Sequence, residues 1–237
     1  MNGQLSAREL LAKAETEARE RVKAGKPAQL SPAPVYNAAK SEAVVYIYDA
    51  IGGWFGIDPA QWVPEFNGIK AKTIHLRINS PGGSVFDAQA MKTAIAQHSS
   101  KVIAHVDGMA ASAATTLAIA AREVEMTDGA MFMIHNAWGV IGGGAEDLED
   151  YAVLLRKATD GIVKDYVRKT GKPTAQIRAW MNAETWFTAS EALKHGFVDR
   201  IFEDKPGARG ASAMASADFN SPKAWRERQL KIESFNS

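Results

Sequence analysis

Apolar residues recur along this chain with two different periods, and the alternation between those periods predicts strands separated by helices. The stretch "AVVYIYD" (43–49) is β-branched and aromatic and predicts a strand; "GGWFGIDPAQWVPEFNGI" (52–69) turns it through Gly52, Gly53 and Pro59 into a helix. "KTIHLRINS" (72–80) alternates apolar with polar, as a strand with one covered face does, until Pro81, Gly82 and Gly83 break it. "VFDAQAMKTAIAQHS" (85–99) predicts a helix, "KVIAHVD" (101–107) the next strand, and residues 112–121 a helix of small residues that neighbours can approach closely. Short strands follow at "EVEMTD" and 131–136, with Asp128 and Gly129 between them. After Gly142, Gly143 and Gly144 comes a long amphipathic helix, 145–169, whose Leu148, Ala152, Leu155, Ile162 and Tyr166 keep a near-heptad spacing that Thr159 interrupts. Such a seam is more often core than interface, although a helix this long in a small domain often protrudes. "GKPTAQIRAWMN" adds a shorter helix, and 188–202 a helix closed by Gly196 and a final strand. Strand and helix in alternation, with short connections, define an α/β domain.

The flanks read differently. Ser6 and Glu9 form a capping box for a helix over 6–24, whose stripe of Leu10, Leu11, Ala14, Ala18 and Val22 is narrow enough that it packs on something else or stays loosely attached. "GKPAQLSPAP" (25–34) cannot continue a helix and reads as a linker, so the compact domain begins near Ser41. "GARGASAMASA" (207–217) is almost all small residues and reads as a flexible tail. The expected organisation is therefore an N-terminal helix and linker over 1–42, one domain over 43–203, and a tail over 204–237.

Composition narrows the functions this chain can have. Its 237 residues, 46% hydrophobic, suffice for a core without staples, and the absence of cysteine excludes disulfides, thiolate nucleophiles and cysteine-based zinc sites. The net charge of +1 is too small for a dedicated nucleic-acid binder. It divides into +2 over 1–42, +3 over 205–237 and −4 between, so two mildly basic arms flank a mildly acidic body. No apolar run approaches the ~20 residues of a membrane span, and the charged N-terminus is unlike a signal peptide, so a cytoplasmic protein is expected.

Three features could carry chemistry. In "HVDGMAASAA" (105–114) a strand runs into a turn and then a lone Ser112 opens a helix. The hydroxyl there is either an N-cap or a nucleophile displayed on a strand-to-helix turn, and Thr115, standing where a capping box wants Glu or Gln, only mildly weakens the first reading. His135 ends the apolar strand "MFMIH"; it is either a hydrogen-bonded structural residue or the base a serine needs near neutrality. His75 and His105 lie mid-strand, and His98 and His195 near helix ends, so His135 alone sits where a strand delivers a side chain to an edge. In "SPGGS" (80–84) the glycine pair is either a plain turn or a place where backbone amides face a crevice; the Gly-x-x-x-x-Gly-Lys phosphate loop is absent.

Taken together, "INSPGGSVFDAQAM", "HVDGMAASAATTLAIAA", "MFMIHNAWG" and "WFTASEALKHGFVD", in this order and at these separations, resemble the Clp-type serine peptidase family over about residues 43–203. The resemblance implies a crotonase-like (ClpP-like) α/β spiral of βαβ units with a protruding handle, the helix 145–169, through which copies of the chain form a homo-oligomer. It implies a Ser-His-acid triad with Ser112 as nucleophile and His135 as base, and an oxyanion hole from the amides of Gly83 and Ala113. The family's acid is an aspartate; the matching position in "AETWFTA" is Glu184, whose extra methylene moves the carboxylate, and Asp199 in "GFVD" is a rival with a more structural setting. No metal, nucleotide or other cofactor is implied.

The appended segments, with "WFGI", "WGVIGGGAEDLEDYA" and "AETW", are more similar to the Clp-related head maturation proteases of tailed bacteriophages. That resemblance implies an endopeptidase that cuts scaffold and capsid-protein segments, and in many cases itself, inside an immature head in the host cytoplasm. Two alternatives within the resemblance are a housekeeping Clp proteolytic subunit fed by an ATPase unfoldase and a catalytically degenerate shell protein. Outside it, an acyl-CoA hydratase of crotonase type would share the fold but use carboxylates.

Overall fold

The computed structural model describes residues 34–37, 40–52 and 56–202, together with positions 9, 12, 13, 16 and 20, which are helical. The expected linker before Pro34 and the expected tail lie outside the described residues.

The strands are β1 (Val35–Asn37), β2 (Glu42–Ile47), β3 (Thr73–Ser80), β4 (Lys101–Ala111), β5 (Glu123–Thr127), β6 (Met131–Ile134), β7 (Thr185–Thr188) and β8 (Arg200–Phe202). The helices are α1 (Pro59–Asn67), α2 (Val85–Gln97), α3 (Ala113–Ala118), α4 (Ala145–Thr170), α5 (Thr174–Asn182) and α6 (Ala189–His195). One mostly parallel sheet runs β1-β2-β3-β4-β5-β8, with β6 branching from β4 and β7 pairing with β6. The α/β expectation holds.

Alternation in β2 and β3 explains how the sheet is clothed. Ala43, Val45, Ile47, Ile74, Leu76 and Ile78 point inward and are buried with Met91 and Ile95 of α2, Trp62 and Phe66 of α1, and Leu117 of α3. The intervening positions place His75, Arg77, His105 and Asp107 on the other, polar face, where Arg77 donates to Asp107 and Tyr48 donates to the same carboxylate. Pro59 and Gly196 act as the sequence suggested, Pro59 at the start of α1 and Gly196 closing α6 in the left-handed conformation; the structure adds Asp58 as the cap of α1 and a capping box of Thr188 and Glu191 on α6.

Five elements depart from the hydropathy reading. Strand β4 does not stop at Asp107 but continues to Ala111, and the helix expected over 112–121 spans only Ala113–Ala118. Strands β1 and β7, three and four residues long, were not predicted; β1 pairs antiparallel with β2, and β7 antiparallel with β6. The heptad stripe of α4 is buried only in its second half: Leu148 is 47% exposed, whereas Thr159, Val163 and Tyr166 are buried. The first half is covered only in part: Tyr151, Ala152 and Leu155 are half-buried, with the Tyr151 hydroxyl against Gly139, while Leu148, Val153 and Leu154 are exposed.

Candidate active site

Strand β4 changes partners midway, and this handover builds the site. Its residues 103–106 pair with β3 on one side and β5 on the other. The register with β3 then slips: Ile78 faces Val106, but Ser80 faces Ala110, so β4 bulges around Asp107–Met109. The bulge is held by side chains from neighbouring strands. Asp107 takes hydrogen bonds from Tyr48 and Arg77, and Asn79 accepts the Met109 amide at 3.2 Å. Past the bulge, Met109–Ala111 pair in parallel with β6. Ser112 and His135 are the residues that leave these two adjacent parallel strands at their carboxyl ends, and the Ser112 amide donates to Met133 O at 2.9 Å. Parallel register therefore sets the two side chains next to each other at one sheet edge.

The Ser112 hydroxyl caps nothing. Its Oγ lies 2.6 Å from Nε2 of His135, which rules out the N-cap reading. The backbone of Ser112 has φ 54° and ψ −125°, a combination that costs a non-glycine residue about 1–3 kcal/mol and that persists only where surrounding structure over-determines it.

Glu184 arrives by a second register. Ile134 of β6 stands opposite Thr185 of β7 in the antiparallel pair, so the next residues outward, His135 and Glu184, face each other. Nδ1 of His135 and Oε2 of Glu184 are 4.0 Å apart, an ion-pair distance longer than a hydrogen bond. Glu184 also has positive φ, 47°; Ser41, Ser112 and Glu184 are the described non-glycine residues with this strain. Asp199, the rival acid, is occupied elsewhere: its carboxylate accepts from the Val124 amide at 2.7 Å and from Lys169.

The glycine pair lies against the serine turn. Ile51 bonds to both neighbours of Gly83, accepting from the Ser84 amide and donating to Gly82 O, so the amide of Gly83 itself is turned away from Ile51. Ala113 opens α3, where an amide has no intrahelical acceptor. Gly82, which sequence reading left as part of a turn, is needed for close approach. It has φ +92°, and a Cβ there would stand 2.6 Å from Ala111 O, 2.8 Å from Ser112 Cβ and 2.9 Å from the Ala113 amide nitrogen. The motif "SPGG" carried that signal, but a turn glycine and a packing glycine look alike in sequence.

The other histidines have local partners. His75 and His105 share a 2.9 Å contact, His98 bridges Phe66 O and the Ser100 amide, and His195 packs on Trp180 and Phe187. Among the described residues no group of three or more His, Asp or Glu side chains could hold a metal ion, and no helix is long and apolar enough to cross a membrane.

A hydroxyl on a strained turn, an imidazole in contact with it, a carboxylate beyond the imidazole and a helix-opening amide on the residue after the hydroxyl together suit acyl transfer. Comparisons with known proteins point the same way. The family model described as Clp protease matches residues 67–205. The ATP-dependent Clp protease proteolytic subunit 1 of Protochlamydia amoebophila is 36% identical over 163 residues, 66% of this chain and 79% of the relative. The subunit of the same name from Leifsonia xyli is 32% identical over 148 residues, covering 62% and 75% of the two chains. The ATP-dependent Clp protease proteolytic subunit of Streptococcus gordonii is 34% identical over 137 residues, covering 55% and 68%.

Proposed function

Since the chain belongs to the Clp protease family, we propose that it is a serine endopeptidase in which Ser112, His135 and Glu184 form the triad and the amides of Gly83 and Ala113 the oxyanion hole. The observation that carries this reading is the 2.6 Å contact between Ser112 Oγ and His135 Nε2 at a hydroxyl with no capping role. Ser112 Oγ attacks the scissile carbonyl while Nε2 takes its proton and then passes it to the leaving amine; a water repeats the sequence to release the acyl group. Glu184 steadies the imidazolium that forms in each half, and each amide in the oxyanion hole contributes about 3 kcal/mol to the transition state.

Two settings are proposed for this chemistry. The flanking segments and the glutamate at position 184 support a phage head maturation protease acting on scaffold and capsid segments. The relatives, each named as a proteolytic subunit of an ATP-dependent protease, better support the second setting, a Clp-type subunit supplied by an ATPase partner, and they give the head-maturation setting no support. In either, we assign contact between copies to helix α4, whose first half exposes Leu148, Val153 and Leu154.

Mass measurement of the purified chain and of Ser112→Ala, alone, with a capsid precursor, and with an unfolded protein plus a Clp ATPase, tests the chemistry and the setting together. Cleavage of the precursor without ATP supports head maturation; ATP-dependent cleavage supports the second setting. Equal product from wild type and Ser112→Ala refutes the triad.

A further inference from the structure

We propose that helix α4 is a splint for the catalytic pair, with Thr159 and Tyr166 as positioning residues for His135 and Ser112 respectively; this rests on the peptidase reading above. Both side chains belong to the buried face of the helix, about two turns apart. Each places a hydroxyl where an apolar group would fill the same space, and each hydroxyl engages the segment that carries one member of the pair.

Thr159 acts on the base. Its Oγ1 accepts the Ala137 amide at 3.1 Å, which fixes the chain just after His135 as it leaves β6. The residue between, Asn136, donates through Nδ2 to Oδ1 of Asn182 at 2.8 Å, close to the turn that leads into Glu184. His135 is thus followed at once by two tethers, one to α4 and one to the end of α5.

Tyr166 acts on the nucleophile through one intermediary. Thr115 Oγ1 donates to the carbonyl of Ser112 and also lies 2.5 Å from the Tyr166 hydroxyl. A threonine hydroxyl has one proton, already given to Ser112 O, so Tyr166 is the donor in the second contact. Burial pushes the Tyr166 phenol well above its ordinary range, which keeps that proton in place. The chain Tyr166–Thr115–Ser112 holds the strained turn from behind.

These hydroxyls are unneeded for packing. Val163, between them on the same face, is buried to 2% exposure and has no polar atom. Threonine is a poor residue for a helix interior, and a buried hydroxyl is costly unless bonded, so alanine or valine would serve the helix better at 159. What the two hydroxyls add is a fixed separation between two loops through one rigid helix.

The experiment compares Thr159→Val, Tyr166→Phe, Thr159→Ser and Val163→Ala with wild type, reading the second-order rate of fluorophosphonate labelling across pH 5.5–9 at a temperature where circular dichroism shows each folded. Misaligning the pair by a fraction of an ångström should slow labelling about 10- to 100-fold in Thr159→Val and Tyr166→Phe. Thr159→Ser should return to within about threefold of wild type, and Val163→Ala should lower the melting temperature while labelling at the wild-type rate. Labelling of Thr159→Val and Tyr166→Phe at the wild-type rate overturns the splint while leaving the peptidase reading intact, as does equal slowing in Val163→Ala. A wild type that does not label overturns the peptidase reading and the splint with it.

Discussion

Replacing Gly82 by alanine should disable the site and loosen the fold, and the structure gives the size of each effect. The residue has φ +92°, and the added methyl would meet Ala111 O, Ser112 Cβ and the Ala113 nitrogen at 2.6, 2.8 and 2.9 Å, so two backbone segments would have to part by several tenths of an ångström. Backbone strain at positive φ costs roughly 1–2 kcal/mol and overpacking against backbone another 1–3 kcal/mol, offset by up to about 1 kcal/mol from the stiffer unfolded chain. The net loss is about 1–5 kcal/mol of unfolding free energy by these terms. Because the atoms displaced include Ser112 Cβ, the 2.6 Å contact with His135 opens, and peptide hydrolysis should fall by about 100-fold. Gly171→Ala is the matched control: its φ is +67° but nothing lies within 4 Å of the added methyl, so it bears the backbone strain alone. It should cost about 1 kcal/mol and leave hydrolysis unchanged. Urea unfolding followed by circular dichroism, and kcat/KM on a peptide substrate, read both quantities. If Gly82→Ala matches Gly171→Ala in stability and hydrolyses at the wild-type rate, the packing of the glycine turn on the serine turn does not aim the hydroxyl.

Glu184→Gln should lower kcat/KM by about 100- to 10,000-fold, since the charge facing His135 is removed with little change of shape, and full activity would exclude Glu184 from the triad. Glu184→Gly, which relieves the φ of 47°, should raise the urea midpoint while abolishing hydrolysis; a lowered midpoint would show that the strain is not stored there. Asp165, 10% exposed in its side chain and paired with Lys92 and Arg168, should cost about 3 kcal/mol when changed to alanine, and adding Lys92→Met should recover part of it; no loss in thermal melts would refute the pair's importance. Burial holds His105 down at about 3 and lowers His75 too, and Arg77 adds to both shifts. Glu125, Arg200 and Glu42 also face this pair. The unfolded chain takes up the His105 proton near 6.5 and the folded chain only near 3, so this contribution to stability is constant above 6.5 and falls between 6.5 and 3 by up to about 1.4 kcal/mol per pH unit, with His75 acting in the same direction. Urea midpoints at pH 7.5 and 5 measure this, and an equal fall in His105→Gln would assign it elsewhere.

The parts of this molecule that depend on local pattern were legible in its sequence. Alternating strands, capped helices, the serine on its turn and the histidine at a strand end all follow from neighbours within a few positions. What escaped depends on remote partners. Strand β4 runs through Asp107 and Gly108 because Tyr48, Arg77 and Asn79 hold the bulge, and none of them is near in sequence. Strand β7 is four residues long and is defined by pairing with β6, yet it delivers Glu184; the resemblance found that residue, and hydropathy could not. Thr159 stood out only as an interruption in an apolar stripe, and its partner, the Ala137 amide, is a backbone group that no side-chain pattern reveals.

Helix α4 spans 26 residues, so it is about 39 Å long, and its buried side chains begin at Thr159, past the midpoint. Mechanically it is a cantilever with its free end in solvent and its root in the core. A load on the tip is borne first at the outermost point of the root, the tether to the histidine loop, and only then at Tyr166, deeper in. Whatever grips the tip has leverage on the imidazole before it has any on the hydroxyl.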